Sequence, residues 1–111
     1  MIIGVAGPYS ADTEAERQQN LDRMNEAAAK LLEMGHIPLI GVNAALPVVD
    51  KMTEAADRYE AIMRISMAVI GNCEALLLLA GSPGANRERD LVLAKGLPVF
   101  HSLAEIAGIK P

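Results

Sequence analysis

Residues 75–88 read Ala75-Leu76-Leu77-Leu78-Leu79-Ala80-Gly81-Ser82-Pro83-Gly84-Ala85-Asn86-Arg87-Glu88, and this stretch decides the fold. An apolar run, a glycine turn and a helical pattern continuing to Lys95 follow one another without a gap. Strand, tight turn and helix form the unit from which parallel sheets are wound. Such a turn directs free backbone N–H groups and the positive end of a helix dipole at one spot. Gly81 and Gly84 let a ligand approach the main chain closely. Glu88 falls in the first turn or so of the helix, with Leu91 and Val92 three and four residues further on. It therefore shares the face that packs on the sheet. A carboxylate there is either a solvated acid that the dipole favours or a chemical tool, and we pursue the second reading.

Outward from this stretch, the rest of the chain alternates in the same way. Ile2-Ile3-Gly4-Val5-Ala6 suits a strand buried on both faces and is broken by Gly7-Pro8-Tyr9-Ser10. Thr13-Glu14-Ala15-Glu16 has the form of a capping box. The helix that it opens carries Leu21, Met24, Ala28, Leu31 and Leu32 at helical spacing and ends at Gly35. Ile37-Pro38-Leu39-Ile40 is a short second strand whose proline suits an edge. Gly41 to Lys51 reads as a loop with at most one turn of helix, because its apolar residues show no period. Thr53 or Asp50 is expected to cap a helix running to Ile70, with apolar residues almost all round it. One sheet cannot cover such a surface, so a homodimer or higher homo-oligomer through helix 53–70 is expected. Strand 75–80, helix 85–95, strand 98–101 and a short helix capped by Ser102 complete the pattern.

Strands alternating with crossovers of this length imply a small doubly wound α/β fold. The simplest form is a four-stranded parallel sheet in the order 2-1-3-4, with helices on both faces, in a single domain spanning 1–111. The switch point then lies between the first and third strands, where ligands bind at the carboxyl ends. The loops leaving those ends are Gly7–Thr13 and Gly81–Ala85, so both glycine turns face one crevice.

Composition removes several classes of function. The net charge is −4, with no basic run, which disfavours nucleic-acid polymers and anionic membranes as partners. Aromatic residues are 3% of the chain and tryptophan is absent, which disfavours a stacking platform for single strands. Cys73 is the only cysteine, which excludes an internal disulfide, and it reads as core. His36 and His101 lie far apart and read as structural or exposed, so no metal site is expected. A start that passes straight into a strand, together with apolar runs too short to span a bilayer, points to a cytoplasmic protein. Neither glycine turn carries a dinucleotide fingerprint or a Gly-Lys-Ser/Thr phosphate loop.

What remains is a small set of candidates. Ser82 reads as the N-cap of the third helix, or as a hydroxyl that holds phosphate beside the Gly84 and Ala85 amides. Tyr9 is a packing residue or a hydrogen-bonding site residue. Ser10 and Asn43 are loop polars, while Arg87 and Arg89 are surface residues or phosphate partners.

Taken together, several segments resemble the nucleoside 2-deoxyribosyltransferase-like superfamily. They are Ala6-Gly7-Pro8-Tyr9, Leu32-Glu33-Met34-Gly35-His36-Ile37-Pro38, Met63-Arg64, Cys73-Glu74-Ala75-Leu76, Ser82 to Glu88 and Gly96 to Leu103. The likeness is to its short bacterial and phage members. It implies a flavodoxin-like fold, no cofactor, and Glu88 as the nucleophile that attacks the anomeric carbon of a nucleoside sugar. It further implies that Tyr9 orients Glu88, that Gly7 and Pro8 border the substrate, and that the helix start keeps Glu88 ionised. By the same resemblance, Ser82 stands where the nucleoside 5′-monophosphate hydrolases carry serine and the transferases carry aspartate, favouring a nucleotide substrate. Ser66 stands on the leaving-group side, where characterised members carry an aspartate. The chain is thus expected to be an N-glycosidase, hydrolase or deoxyribosyltransferase, acting on a nucleoside or nucleoside 5′-monophosphate. The alternative is a non-catalytic nucleotide-binding module of the same fold.

Overall fold

The computed structural model describes residues 1–54 and 57–111. Four strands, β1 (Ile2–Ala6), β2 (Ile37–Leu39), β3 (Ala75–Leu78) and β4 (Val99–Phe100), form one parallel sheet in the order β2-β1-β3-β4. The helices are α1 (Glu14–Glu33), α2 (Gly41–Val49), α3 (Arg58–Ile70), α4 (Pro83–Ala94) and α5 (Leu103–Ile106). This is the expected doubly wound arrangement, with β2 at an edge and the switch point between β1 and β3.

The two central strands show why both faces are covered. Ile3, Val5, Ala75 and Leu77 point to one side and pack with Met24, Ala27 and Leu31 of α1 and Ile106 of α5. Ala6, Leu76 and Leu78 point to the other and pack with Ile70 of α3 and with Ala85 and Val92 of α4. Strands apolar at every position are what a sheet sandwiched between helices requires. Leu76 and Leu77, fully buried on opposite faces, each contribute roughly 1.5–3 kcal/mol. The capping signals of α1 act as read: Thr13 Oγ1 accepts from the Glu16 N–H at 3.1 Å. At its far end Gly35 takes a φ of +92° and the His36 N–H returns to the Leu31 carbonyl.

Strands β2, β3 and β4 are each one or two residues shorter than read, and three helix boundaries depart as well. Residues 41–49 are a full helix, not a loop. Gly41, Val42, Ala45 and Val49 of α2 are buried at helical spacing. Ala44, Pro47 and Val48 make its exposed side apolar too, so the buried stripe does not stand out in the sequence. Pro47 sits on its exposed side, where water replaces a lost backbone hydrogen bond. Asp50 ends α2, and α3 is capped instead by Asp57, whose carboxylate accepts from the Glu60 N–H at 3.1 Å. The expected helix over 53–70 therefore starts at Arg58, and residues 55 and 56 of that expectation lie outside the described residues. Finally, α4 begins at Pro83, two residues early, because Pro83 suits a first helical position behind the extended Ser82. That shift moves Glu88 into the second turn. Among the described residues, no helix is long and apolar enough to cross a membrane.

Candidate functional site

Strands β1 and β3 end side by side, and the segments leaving them, Gly7–Ser10 and Ser82–Ala85, border one cavity of about 180 Å³. A face of α3 closes it, formed by Tyr59, Ile62, Met63 and Ser66, while α2 contributes Val42. Glu88 lines the cavity from α4 and is only 7% exposed. Of the residues expected at the site, Gly7, Tyr9, Ser66, Ser82, Gly84, Ala85 and Glu88 all line this cavity, and Pro8 does not.

Glu88 and Ser66 form the polar heart of the site. The Ser66 hydroxyl, itself buried, donates to Glu88 Oε1 at 2.6 Å. Gly41 makes that geometry possible: a Cβ at position 41 would lie 2.8 Å from the Ser66 Cα. The first residue of α2 must therefore lack a side chain for α3 to bring Ser66 to this depth. Burial raises the Glu88 carboxyl to about 7, with the Ser66 hydrogen bond pulling the other way. The expectation that the helix start keeps Glu88 ionised is thus corrected. A second-turn position lies beyond the reach of the dipole, and desolvation is the larger effect.

The turn itself is more self-satisfied than a bare helix start. Ser82 Oγ accepts from the Ala85 N–H at 3.1 Å, and its carbonyl accepts from Asn86 N–H at 2.8 Å. Pro83 has no N–H to offer. The Gly81, Ser82 and Gly84 amides are left with no partner among the described residues. An anion that used the Ala85 amide would have to displace the Ser82 cap. Tyr9 packs against the core and lines the cavity, and the hydrogen bond that Glu88 accepts comes from Ser66 rather than Tyr9 among the described residues.

With the geometry in place, the match to known families is informative in one respect. A family model described as a domain of unknown function (DUF4406) matches residues 1–101. The chain belongs to the DUF4406 family. The matched span runs from β1 through β4 and includes every residue of the cavity. No curated protein matches the chain.

Other candidates in this DUF4406 chain have structural duties. Asn43 donates to Asn25 Oδ1 at 2.7 Å, outside the cavity. Arg87 pairs with Glu60 at 2.8 Å and lies over the Tyr59 ring, 5.8 Å from its centroid. Arg89 pairs with its neighbour Asp90. His36 is fully buried with Nδ1 3.0 Å from the Met1 amine, and His101 is exposed. Cys73 is buried, and burial raises its thiol pKa. No cluster of three metal-ligating side chains occurs among the described residues.

Sequence reasoning missed Val42, Tyr59, Ile62 and Met63. The last three had a visible signal. Tyr59, Ile62, Met63 and Ser66 recur at i, i+3, i+4 and i+7, one face of a helix that also carries an expected site residue. Apolar residues lie almost all round α3, and nothing in the sequence says which side meets the crevice and which a neighbour.

Proposed function

We propose that this domain is an N-glycosidase that cleaves the base–sugar bond of a nucleoside or nucleoside 5′-monophosphate, with Glu88 as nucleophile. The observation that carries the reading is Glu88 itself, a buried carboxylate at the switch point, open to a cavity and held by one hydroxyl. A carboxyl titrating near 7 inside a cleft is the mark of a group tuned for chemistry. The resemblance to the nucleoside 2-deoxyribosyltransferase-like superfamily supports the same assignment.

In the proposed reaction Ser66 holds Oε1, leaving Oε2 as the attacking atom. Oε2 forms an ester bond to the anomeric carbon as the bond from that carbon to the base nitrogen breaks. Water then attacks the same carbon and frees Glu88, or a second base does so and the reaction becomes transfer. The cavity of about 180 Å³ is smaller than the roughly 300–1,000 Å³ of sites that engulf a whole ligand. It suits a pentose, with base and phosphate directed outward. The Gly84 amide and the Ser82 hydroxyl, which border the cavity, are the groups assigned to a 5′-phosphate in this scheme. No cofactor enters the scheme.

Incubation with a panel of nucleosides and 5′-monophosphates, read for free base, tests the proposal. Base release that disappears in Glu88→Gln is expected; no release from any member overturns it. A second reading is a non-catalytic nucleotide-binding module, favoured by Ser66 standing where an acid would assist departure of the base. It is distinguished by nucleotide binding, without turnover, in both wild type and Glu88→Gln.

The partner we propose is a second copy of the chain. On the side of α3 away from the cavity, Val48, Val49, Met52, Ala61, Ile65 and Val69 line an open hollow of about 600 Å³. Val48 and Met52 are large apolar side chains left exposed there, a surface of the kind that homodimers cover.

A further inference from the structure

A second hollow lies beside the cavity that the proposed reaction uses for the sugar. Tyr9, Ser10, Tyr59 and Ile62 border both the cavity and this hollow, of about 330 Å³, so the two spaces adjoin through these four residues. Beyond them the second hollow is walled by Ala11, Arg17 and Arg58. Tyr9 and Tyr59 are the only tyrosines in a chain whose aromatic content is 3%, and both stand at this junction. We infer that this second hollow receives the leaving group, and that the group is a neutral heteroaromatic ring bearing carbonyl oxygens, met by the Arg17 and Arg58 guanidiniums. The inference rests on the glycosidase reading for its chemistry, but not for its binding prediction.

The side chains argue for such a ring and against a second phosphate site. Arg17 Nη1 donates to the Ala11 carbonyl at 2.9 Å, and Arg58 Nη2 donates to Asp50 Oδ1 at 2.6 Å. Each guanidinium is thereby fixed with further N–H donors to offer. Glu14 and Asp50 border the adjoining space beside the same two arginines, so the local charge is close to balanced. A balanced site does not attract a dianion, but its donors still meet carbonyl oxygens. Arginine donates and accepts nothing, so the two guanidiniums favour ring carbonyls over ring amino groups. Tyr9 and Tyr59 supply the aromatic walls on which a flat ring is held.

This arrangement also answers what assists departure when Ser66 replaces a carboxylic acid. As Glu88 Oε2 bonds to the anomeric carbon, the electron pair of the broken bond moves to the base nitrogen and is shared with the ring carbonyls. Negative charge passes from the carboxylate, which becomes a neutral ester, to the departing base. Guanidinium N–H groups aimed at those oxygens stabilise that charge. The base anion then takes a proton from the water that attacks the ester, giving free base and the sugar hemiacetal.

The test uses the full chain and Arg58→Gln, with Arg17→Gln as a second variant. Substrates are inosine, deoxyinosine, uridine and deoxyuridine against the matching adenine and cytosine nucleosides, each also as its 5′-monophosphate. The 4-nitrophenyl riboside and deoxyriboside serve as substrates whose leaving group departs unaided. Wild type is expected to favour the oxo bases, and Arg58→Gln to lower kcat for them by about tenfold or more, in line with loss of one charge-stabilising donor. The 4-nitrophenyl glycosides, whose leaving group is already stable as an anion, should slow clearly less than the oxo nucleosides, a split that damage to the fold would not produce. Equal slowing of both classes, or preference for amino bases, overturns the inference. If wild type cleaves nothing, the glycosidase reading falls and the subsite is judged by binding alone. Titration with hypoxanthine and uracil against adenine and cytosine, followed by amide chemical shifts, must then show oxo bases binding at this hollow and weakening in Arg58→Gln. Absence of that preference also overturns it. Should Arg17→Gln fail to fold, Arg58, half exposed and near the start of its helix, decides the matter by itself.

Discussion

Glu88 is a residue the fold keeps at a thermodynamic cost. Its carboxyl rises from an ordinary 4.5 to about 7, so the folded state holds this proton more tightly than the unfolded chain. The stabilisation from the protonated form is complete below about 4.5 and disappears as pH climbs through about 7. The difference is worth up to about 3 kcal/mol. Glu88→Gln keeps an acceptor for Ser66 and removes the charge. Urea denaturation is therefore expected to find the variant more stable than wild type at about pH 8, by up to that amount, with little difference near pH 4.5. For the proposed activity the sign is opposite, because a carboxylate must be ionised to attack: base release should rise through about pH 7 and level off above it. Ser66→Ala removes the one hydrogen bond that favours the charged form. The Glu88 titration, followed by carbon NMR of labelled glutamate, should then move further upward, and the rising limb of any pH–rate profile with it. An unmoved titration would remove Ser66 from its positioning role.

Among the elements, the contact between α2 and α3 sets the depth of the site. Gly41→Ala forces a Cβ against the Ser66 backbone, and overpacking of this kind costs about 1–3 kcal/mol. Thermal unfolding should show that loss, and the Glu88 titration should shift in the same direction as in Ser66→Ala, since α3 can no longer seat the hydroxyl. The start of α4 behaves differently. Ser82→Ala deletes the cap on the Ala85 N–H and is expected to cost about 1 kcal/mol in denaturant unfolding. The variant leaves Glu88, six residues on from the cap, with its titration unchanged. A nucleotide that binds through the Ser82 hydroxyl should weaken in this variant, whereas the corresponding nucleoside should not.

At the scale of the molecule, the two sides of α3 carry different duties. Its inner face meets the cavity and the core, and its outer face, with α2, forms the larger apolar hollow. Pairing of two copies through that outer face predicts a dimer in sedimentation. Ile65→Glu, which places a charge in the hollow, is expected to yield monomers without changing the Glu88 titration. A wild type that sediments as a monomer at high concentration would remove this pairing.

The sheet order, its helical cover and a cavity at the ends of β1 and β3 were legible in the sequence. Each rests on local chemistry: uniformly apolar strands, glycine turns and the capping of α1 by Thr13. Glu88 and Ser82 could be singled out for the same reason, since one turn of chain holds both. The helix at Gly41–Val49 was not legible, because Ala44, Pro47 and Val48 on its exposed side leave no polar contrast to the buried stripe by which a helix is recognised. Nor could the chain, read in one dimension, show that Gly41 admits Ser66 to Glu88, or that Tyr59, Ile62 and Met63 face the cavity rather than a neighbour. The ionisation of Glu88 was decided there too. Sequence placed it near a helix start, which favours the charged form, but the packing of α3 over α4 took water from it, and desolvation is the stronger of the two effects.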